Sequence, residues 1–357
     1  MTSFGVEYDK DVILLEVHTE AGAIGYSECV ASTAPLYSEE TNGTAWHMIR
    51  DFFGPRVIGT EYHSRDNLFE VSERLRPFKG NKMAKAAVEM AIWDAFANET
   101  QTPLVNLLGG EKTEIAVGIS VGIQPTIDDL VKKVGGYLEQ GFQRIKVKVK
   151  PGWDLEPLAA LRSAFGDIPL MADANSAYRL RDLAHLQRFD EFGLMMIEQP
   201  LANDDIIDHA SLQAKLETSI CLDESIHSAE DARKAISLGA CRIINVKVGR
   251  IGGFAEALKI HDLCEKERLP LWCGGMLETG IGRLHNVALT TLPGFTLPGD
   301  TAPSARYFEE DLIDPPVAFS RPGFLPVEAL NGVARRVRLE RVEKRQTAVE
   351  TVTQAAD

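Results

Sequence analysis

Three carboxylates and two lysines recur at nearly constant intervals along this chain. Lys148, Asp173, Glu198 and Asp223 follow one another at intervals of 25 residues, and Lys247 comes 24 residues later. Each lies at or near the end of a short apolar run. Carboxylate oxygens are ligands for hard divalent cations, and a lysine amine can remove or deliver a proton. The pattern therefore predicts a metal site flanked by two bases.

The spacing also predicts the fold that brings these residues together. A step of this length accommodates one strand, one helix and two loops, which is the repeat of a parallel β/α barrel. In such a barrel the C-terminal ends of the strands meet at one mouth, where chemistry is placed. We therefore expect the five residues to line one cavity.

Eight barrel strands can be assigned on this basis. The first is 114–120, and a helix over 128–140 follows it and ends at Gly141, because glycine commonly terminates a helix. The next five strands carry the spaced residues, and two more follow them. Their ranges are 144–148, 170–173, 195–198, 220–223, 243–247, 271–276 and 295–300.

The remaining residues predict a second domain, since 357 residues exceed one ordinary core. A β-hairpin is expected over 11–29 and a helix over 82–99. We assign residues 1–110 to an α+β capping domain and 111–306 to the barrel. Residues 307–357, with a strand-like stretch at 332–339, are expected to return to the capping domain and to end in a polar tail.

Composition excludes several classes of protein. The formal charge is −14 and no basic run is present, which argues against nucleic acid or an acidic membrane surface as partner. No apolar run reaches the roughly 18 residues of a membrane-spanning helix. Five cysteines, an odd number without C-x-x-C spacing, are expected to be reduced thiols of a cytoplasmic protein.

The oxygen-only ligand set favours Mg²⁺, with Mn²⁺ as a substitute, over Zn²⁺. Such an ion can bind a substrate carboxylate and stabilise the charge that forms when the α-carbon loses a proton. A single acid at such a position could equally cap a helix, but three at equal spacing favour the metal site.

The lysines predict proton transfer on two sides of the substrate. Lys146 and Lys148 point to the same face of their strand, and repulsion between their ammonium groups is expected to lower the pKa of one. Lys247, on the sixth strand, is expected to face the opposite side of the substrate. Lysines at strand ends can also be merely solvated, which is the better interpretation for Lys150.

The order of these residues resembles the enolase superfamily, in its muconate-lactonizing branch. More closely, the motifs are similar to those of o-succinylbenzoate synthases and N-succinylamino acid racemases, and the similarity extends from Thr2 to about residue 340. The motifs are Lys148-Val-Lys-Pro-Gly-Trp-Asp154, Asp173-Ala-Asn-Ser-Ala-Tyr178, Glu198-Gln-Pro200, Cys221-Leu-Asp-Glu-Ser225, Trp272-Cys-Gly-Gly-Met276 and Leu297-Pro-Gly-Asp-Thr301. The resemblance implies an α/β fold, a modified TIM-type (β/α)7β barrel with an α+β capping domain.

The resemblance also implies a role for each residue. The metal ligands would be Asp173, Glu198 and Asp223, the acid/base pair Lys148 and Lys247, and the tuning neighbour Lys146. The substrate would be surrounded by Ser120, Tyr37, Gly275, Met276 and Asn175, with Arg250 and Glu224 in support. Met276 could instead be an ordinary core residue, Ser120 a partner of the backbone and Arg250 a solvated side chain. In relatives a further strand precedes Thr2, so the first strand of the capping domain is expected to be missing here.

The implied activity is the Mg²⁺-dependent dehydration of 2-succinyl-6-hydroxy-2,4-cyclohexadiene-1-carboxylate to o-succinylbenzoate through an enolate, a step of menaquinone synthesis. Racemisation of N-succinylamino acids is expected as a second activity, and a dedicated N-acyl or N-succinylamino acid racemase is the alternative. The implied partner is a small carboxylate with a succinyl arm, and the protein is expected to be a homo-oligomer.

Three other functions are disfavoured. A dipeptide epimerase usually has Asp-x-Asp after the eighth strand, whereas here Asp300-Thr301-Ala302 lacks the second acid. Muconate cycloisomerisation is similarly disfavoured. A non-catalytic barrel would be expected to have lost at least one of the five spaced residues, and none is lost.

Overall fold

The N-terminal part of the chain folds as the capping domain in this computed structural model, which describes residues 10–353. Strands β1 (Ile13–His18) and β2 (Ile24–Cys29) form the predicted antiparallel hairpin. Five helices follow, with a π-helical turn at Ile49–Phe53: α1 (Asn42–Met48), α2 (Gly54–Val57), α3 (Arg65–Leu75), α4 (Lys82–Glu99) and α5 (Leu104–Leu108). Helix α4 has the predicted bounds.

Helix α4 is the centre of the capping domain because apolar residues surround its axis, and such a helix needs neighbours on every side. Its first turn donates two backbone N–H groups to the buried carboxylate of Glu40, from Met83 at 2.7 Å and Ala84 at 3.0 Å. On another side β2 approaches very closely. A Cβ on Gly25 would lie 2.2 Å from the backbone nitrogen of Ala95, so this contact requires glycine.

The barrel follows as an alternation of strands and helices. Strands β4 to β10 form a seven-stranded parallel sheet in which each strand pairs with the next along the chain. The strands after the hairpin are β3 (Glu114–Ala116), β4 (Gly118–Val121), β5 (Arg144–Lys148), β6 (Leu170–Asp173), β7 (Ile197–Glu198), β8 (Ile220–Leu222), β9 (Ile243–Val246), β10 (Leu271–Cys273) and β11 (Phe324–Pro326).

The remaining helices belong to the barrel, except the last, which lies in the C-terminal segment of the chain. They are α6 (Ile127–Glu139), α7 (Leu155–Phe165), α8 (Leu183–Leu186), α9 (Ile207–Gln213), α10 (Ala229–Leu238), α11 (Val248–Ile251), α12 (Phe254–Glu267), α13 (Gly280–Thr290) and α14 (Leu339–Arg345), with 3₁₀ turns at Leu180–Asp182, Gln187–Phe192 and Ser304–Arg306. Within residues 10–353, no helix is both long and apolar enough to cross a membrane.

Two predicted barrel strands differ from the prediction. The stretch 114–120 is divided, because β3 pairs antiparallel with β11 and only β4 joins the barrel. The stretch 295–300 forms no regular strand, and Pro298 within it has no N–H to donate. It nevertheless closes the barrel, since the N–H of Gly118 donates to Gly299 O at 2.7 Å and that of Leu297 donates to Leu271 O at 3.2 Å.

The predicted strand at 332–339 is wrong. This stretch makes a local turn, in which the N–H of Arg336 donates to Val333 O at 2.9 Å, and a single bridge joins Val337 to Ile313. The expected absence of a first capping strand concerns residues that lie outside the described part of the chain. The domain boundaries at 110 and 306 stay predictions.

Two buried carboxylates attach the capping domain to the barrel mouth. Glu89 on α4 accepts hydrogen bonds from the first two residues of α12, from Phe254 N at 2.5 Å and Ala255 N at 2.8 Å. Glu28 on β2 accepts from Thr279 N, just before α13, at 3.0 Å. Both helices begin above the C-terminal ends of barrel strands, and a helix N-terminus favours a carboxylate. The capping domain therefore lies over the mouth of the barrel.

Candidate active site

The predicted metal ligands lie side by side at the mouth of the barrel. Lys148, Asp173 and Glu198 are the last residues of β5, β6 and β7, and the register places Lys148 opposite Asp173 and Asp173 opposite Glu198. Asp223 directly follows β8, and Lys247 directly follows β9. At most 1% of each of the three acidic side chains is exposed, so their charges need partners within the protein.

A different lysine binds each of the three carboxylates. Nζ of Lys148 lies 2.6 Å from Oδ2 of Asp173, and Nζ of Lys247 lies 2.7 Å from Oδ2 of Asp223. Between them, Nζ of Lys146 lies 3.0 Å from Oε2 of Glu198. The acids are thus flanked by one lysine at each end, in the arrangement that the spacing predicts.

The pKa values of these groups reflect burial and mutual charge. Burial, and then the charge of neighbouring Asp173, raise the pKa of Glu198 to about 8. For Asp223, burial opposes ionisation but the charges of Arg250 and Lys247 outweigh it, so its pKa is lowered. Burial likewise disfavours the charged form of Lys247, yet Asp223 and Tyr37 hold its pKa well above the usual value.

The predicted lowering of a lysine pKa by its neighbour is wrong for Lys146. Burial does disfavour its charged form, but the carboxylates of Asp300, Glu198 and Asp173 together raise its pKa. The neighbouring acids therefore have a larger effect than repulsion between the two lysines. Lys146 is a fixed cation at this site.

The donor set fits a hard divalent cation. Asp173, Glu198 and Asp223 supply only oxygens, from three adjacent strands, which is the chemistry of a Mg²⁺ or Mn²⁺ site. As the side chains stand, no three acids, cysteines or histidines within residues 10–353 surround a common point. Each carboxylate is turned to an ammonium group instead, so an ion would have to compete with the lysines for these oxygens.

Lys247 is held by both domains. Oη of Tyr37, from the capping domain, lies 3.0 Å from its Nζ, and the ring of Tyr37 lies under the ammonium group at 4.6 Å. Arg250 donates to the same hydroxyl at 3.1 Å and to Oδ1 of Asp223. The backbone of Gly274 packs against the side chain, since a Cβ there would lie 2.8 Å from Cγ of Lys247. Arg250 is buried and supports Lys247, and is not a solvated side chain.

Lys148 has separate supports, all within the barrel. Its Nζ donates to Oδ1 of Asn175 at 2.6 Å, and Nδ2 of Asn175 donates to Oε1 of Glu224 at 2.9 Å. Burial, and then the charge of Asp223, raise the pKa of Glu224 to about 7. Asn175, predicted to contact substrate, here bridges the lysine to Glu224.

The other predicted substrate residues lie around the same mouth. Ser120 is opposite Lys146 in the register of β4 and β5, and its carbonyl accepts from Arg306 at 3.0 Å. Met276 is partly buried against the core, and its N–H donates to Glu278 at 2.9 Å. A Cβ on Gly275 would lie 3.2 Å from the carbonyl oxygen of Asp300, so Gly274 and not Gly275 is the glycine that contacts Lys247.

Sequence reasoning gave no role in the site to three polar residues that lie beneath it. Asp300 binds Lys146 at 2.8 Å and Arg144 at 2.5 Å, and the indole of Trp272 lies 4.9 Å from the Lys146 ammonium group. Asn245 donates to Oε1 of Glu198 at 2.7 Å. Arg144 and Asn245 each lie two residues before a lysine of the site, so strand alternation would have placed them on the same face.

A closed β/α barrel that holds three buried acids between lysines under a capping domain has the architecture of a barrel enzyme with its site at the mouth. Comparison with known proteins gives the family. The model of the enolase C-terminal domain-like family matches residues 129–340, and that of the mandelate racemase/muconate lactonizing enzyme N-terminal domain matches residues 1–109. The chain belongs to this family of the enolase superfamily.

Curated relatives cover nearly the whole chain. An o-succinylbenzoate synthase of Geobacillus stearothermophilus is 52% identical over 96% of this chain and 90% of its own length. An N-succinylamino acid racemase of Thermus thermophilus is 48% identical over 96% of this chain and 92% of its own length. A solved enolase superfamily member from Listeria innocua has a TM-score of 0.92 and 40% identity, over 96% of this chain and 92% of that one.

Proposed function

We propose that the protein is a Mg²⁺-dependent o-succinylbenzoate synthase that also racemises N-succinylamino acids. The observation that supports this most directly is the placement of Lys148 on Asp173 and Lys247 on Asp223, at opposite ends of the acid row. A substrate carboxylate bound to a cation that the three acids hold would present its α-carbon between the amines of Lys148 and Lys247. One close relative is named an o-succinylbenzoate synthase and another an N-succinylamino acid racemase, which agrees with a site that serves both reactions.

The proposed metal ligands are Asp173, Glu198 and Asp223, with Mn²⁺ able to replace Mg²⁺. When bound, the ion would supply charge stabilisation for a substrate carboxylate whose α-proton is being removed. In the dehydration, Lys148 removes the proton at the carbon bearing the carboxylate and then protonates the departing hydroxide. The C–H and C–O bonds break, the ring becomes aromatic and water leaves, while Lys247 stays cationic.

The surroundings of Lys247 support the second activity. Dehydration with Lys148 as sole base needs only a cation on the opposite side, whereas racemisation needs a base on each side of the α-carbon. Lys247 is oriented by Tyr37, Arg250 and Asp223, so it is positioned as closely as Lys148. A general base must lie within hydrogen-bonding reach of its proton, and this support holds the Lys247 amine in one place.

The pairing of Asp300 argues against a dipeptide epimerase. An epimerase acid in this position would have to accept an α-ammonium group. Here burial opposes ionisation of Asp300, but Arg144 and Lys146 lower its pKa and occupy both of its carboxylate oxygens. A further ammonium group would find this carboxylate already neutralised.

The proposal extends to the setting of the enzyme. We infer a role in menaquinone synthesis, a cytoplasmic location, a small carboxylate with a succinyl arm as substrate, and a homo-oligomeric assembly. The five cysteines are free and buried, in agreement with a reducing compartment.

The test is to assay the purified, Mg²⁺-loaded protein with the cyclohexadiene substrate and with N-succinyl-phenylalanine. Both products should form, EDTA should abolish both, and Mg²⁺ or Mn²⁺ should restore them. Lys148→Ala should remove both activities by several powers of ten, as expected for loss of an essential base. Lys150→Ala, which changes an exposed lysine two residues away, is the matched control. A folded, metal-loaded protein that catalyses neither reaction would contradict the proposal.

A further inference from the structure

A buried polar cluster outside the acid row joins the two loops that flank Lys148. Oδ2 of Asp154 accepts hydrogen bonds from Oη of Tyr178 at 2.7 Å and from Nε2 of His185 at 2.8 Å. Its Oδ1 accepts from the N–H of Leu155 at 2.7 Å, at the start of α7. Only 6% of Asp154 and 2% of Tyr178 is exposed, so the bond between them forms in a dry environment where it is strong, whereas the His185 side chain is 39% exposed.

Asp154 lies on the loop that follows Lys148. The N–H of Val149 donates to Asp173 O at 2.9 Å, and Lys150 and Trp153 then close a tight turn through two mutual backbone hydrogen bonds. Asp154 comes directly after this turn. Fixing its carboxylate therefore fixes the backbone that leads away from Lys148.

Tyr178 lies on the loop that carries Asn175, the residue that accepts from Lys148. Asn175 and Ser176 both have positive φ angles, 40° and 63°, a conformation that needs support from its surroundings. That support comes from two backbone hydrogen bonds to the next loop, Ser176 N to Gln199 O at 2.8 Å and Tyr178 N to Pro200 O at 3.0 Å. The Tyr178 hydroxyl adds the bond to Asp154.

Both loops that determine the position of the Lys148 ammonium group thus meet at one carboxylate. His185 on α8 completes the cluster, with its ring stacked on Tyr178 at 6.1 Å. The supports of Lys247, namely Tyr37, Arg250 and Asp223, have no contact with this cluster among those seen in residues 10–353.

We propose that Asp154, Tyr178 and His185 are positioning residues for Lys148 alone, which act by clamping the loops after β5 and β6 together. This inference rests on the proposed racemase activity, because that activity allows the two lysines to be observed separately. Each lysine exchanges the α-proton of one enantiomer with solvent. A defect confined to the Lys148 side should therefore slow exchange from one enantiomer only, whereas general destabilisation should slow both.

The experiment measures α-proton exchange of N-succinyl-L- and N-succinyl-D-phenylalanine in ²H₂O by NMR, with Mg²⁺-loaded wild type and Tyr178→Phe. Lys148→Ala identifies the enantiomer whose exchange depends on Lys148. For that enantiomer Tyr178→Phe should slow exchange about tenfold to a hundredfold, the effect of moving a base by up to about 1 Å. Exchange of the other enantiomer should change less than about twofold.

Tyr26→Phe is the matched control, since its hydroxyl donates to Glu16 at 2.6 Å in the capping hairpin, and both exchange rates should match wild type. His185→Gln, which keeps a donor facing Asp154, should behave like wild type or show a milder form of the same asymmetry. Equal slowing of both enantiomers, or no slowing in Tyr178→Phe, would overturn the inference while leaving the proposed function standing. If wild type exchanges the α-proton of neither enantiomer, the proposed racemase activity is wrong and the inference falls with it.

Discussion

Replacement of Glu89 by glutamine should change how the stability of the protein depends on pH. Glu89 is fully buried where α4 of the capping domain meets the start of α12 in the barrel. Burial raises its pKa from 4.5 to about 8, even though the N–H groups of Ala255 and Phe254 favour the ionised form. Glutamine has nearly the same shape and does not titrate, so it isolates the contribution of the proton.

The direction in which stability changes with pH follows from the pKa of Glu89 in the folded and unfolded states. Because the folded-state pKa lies above the unfolded-state value, the folded protein binds the proton more tightly. The stabilisation from protonation is fully present below about pH 4.5 and is lost as the pH rises towards about 8. At about 1.4 kcal/mol per pKa unit, the free energy of unfolding of wild type should fall relative to Glu89→Gln by up to about 4 kcal/mol between about pH 5 and pH 8.

The assay is urea unfolding of both proteins at several pH values, followed by tryptophan fluorescence. Trp93 on α4 stacks edge-on against Phe254 at 5.9 Å, so its emission reports on this interface. Glu99→Gln, an exposed acid at the end of the same helix, is the control and should follow wild type. A constant difference between wild type and Glu89→Gln across the pH range would refute the reasoning. A gain in the stability of wild type relative to Glu89→Gln as the pH rises would show that the two N–H groups outweigh burial.

Two further predictions concern Lys247. Gly274→Ala should lower turnover about a hundredfold with little loss of fold, because a Cβ 2.3 Å from Oδ1 of Asn245 and 2.8 Å from Cγ of Lys247 must displace the base. Circular dichroism together with kcat would test this, and full activity would contradict it. Tyr37→Phe should lower kcat for racemisation about tenfold with a smaller change in KM, since it removes one hydroxyl bonded to both Lys247 and Arg250; an unchanged kcat would show that the hydroxyl is dispensable.

The parts of the fold that could be predicted were those with a regular period. The interval between spaced residues located strands β5 to β9 and placed Asp173, Glu198 and Asp223 in one row, because one repeat of a barrel has a nearly fixed length. Helix α4 was found because its composition strongly favours helix. The prediction of a regular strand at 295–300 was wrong because Pro298 prevents regular pairing, although the backbone there still closes the barrel.

The contacts that could not be predicted join residues far apart in sequence. Glu89 meets Ala255 across 166 positions, and Asp300 meets Arg144 across 156. No local period relates such pairs, and each becomes a neighbour only once the two domains or the two ends of the barrel have met. The raised pKa of Lys146 has the same origin, since Asp300 is the largest of the charges that oppose its burial.

The two proposed bases, Lys148 and Lys247, are held by different parts of the molecule, so a change in one part should affect one lysine more than the other. Lys247 receives a hydrogen bond partner from the capping domain, Tyr37, whereas the contacts of Lys148 come from barrel loops. A change that loosens the capping domain, such as one at Glu89, should therefore slow exchange at the Lys247 side first. A change at Asp154 or Tyr178 should slow the Lys148 side instead. In the proposed mechanism dehydration uses Lys148 as its only base, while racemisation needs both lysines, so loosening of the capping domain should slow racemisation more than dehydration. On this proposal, the ratio of racemisation to dehydration should fall as the capping domain is held less firmly on the barrel.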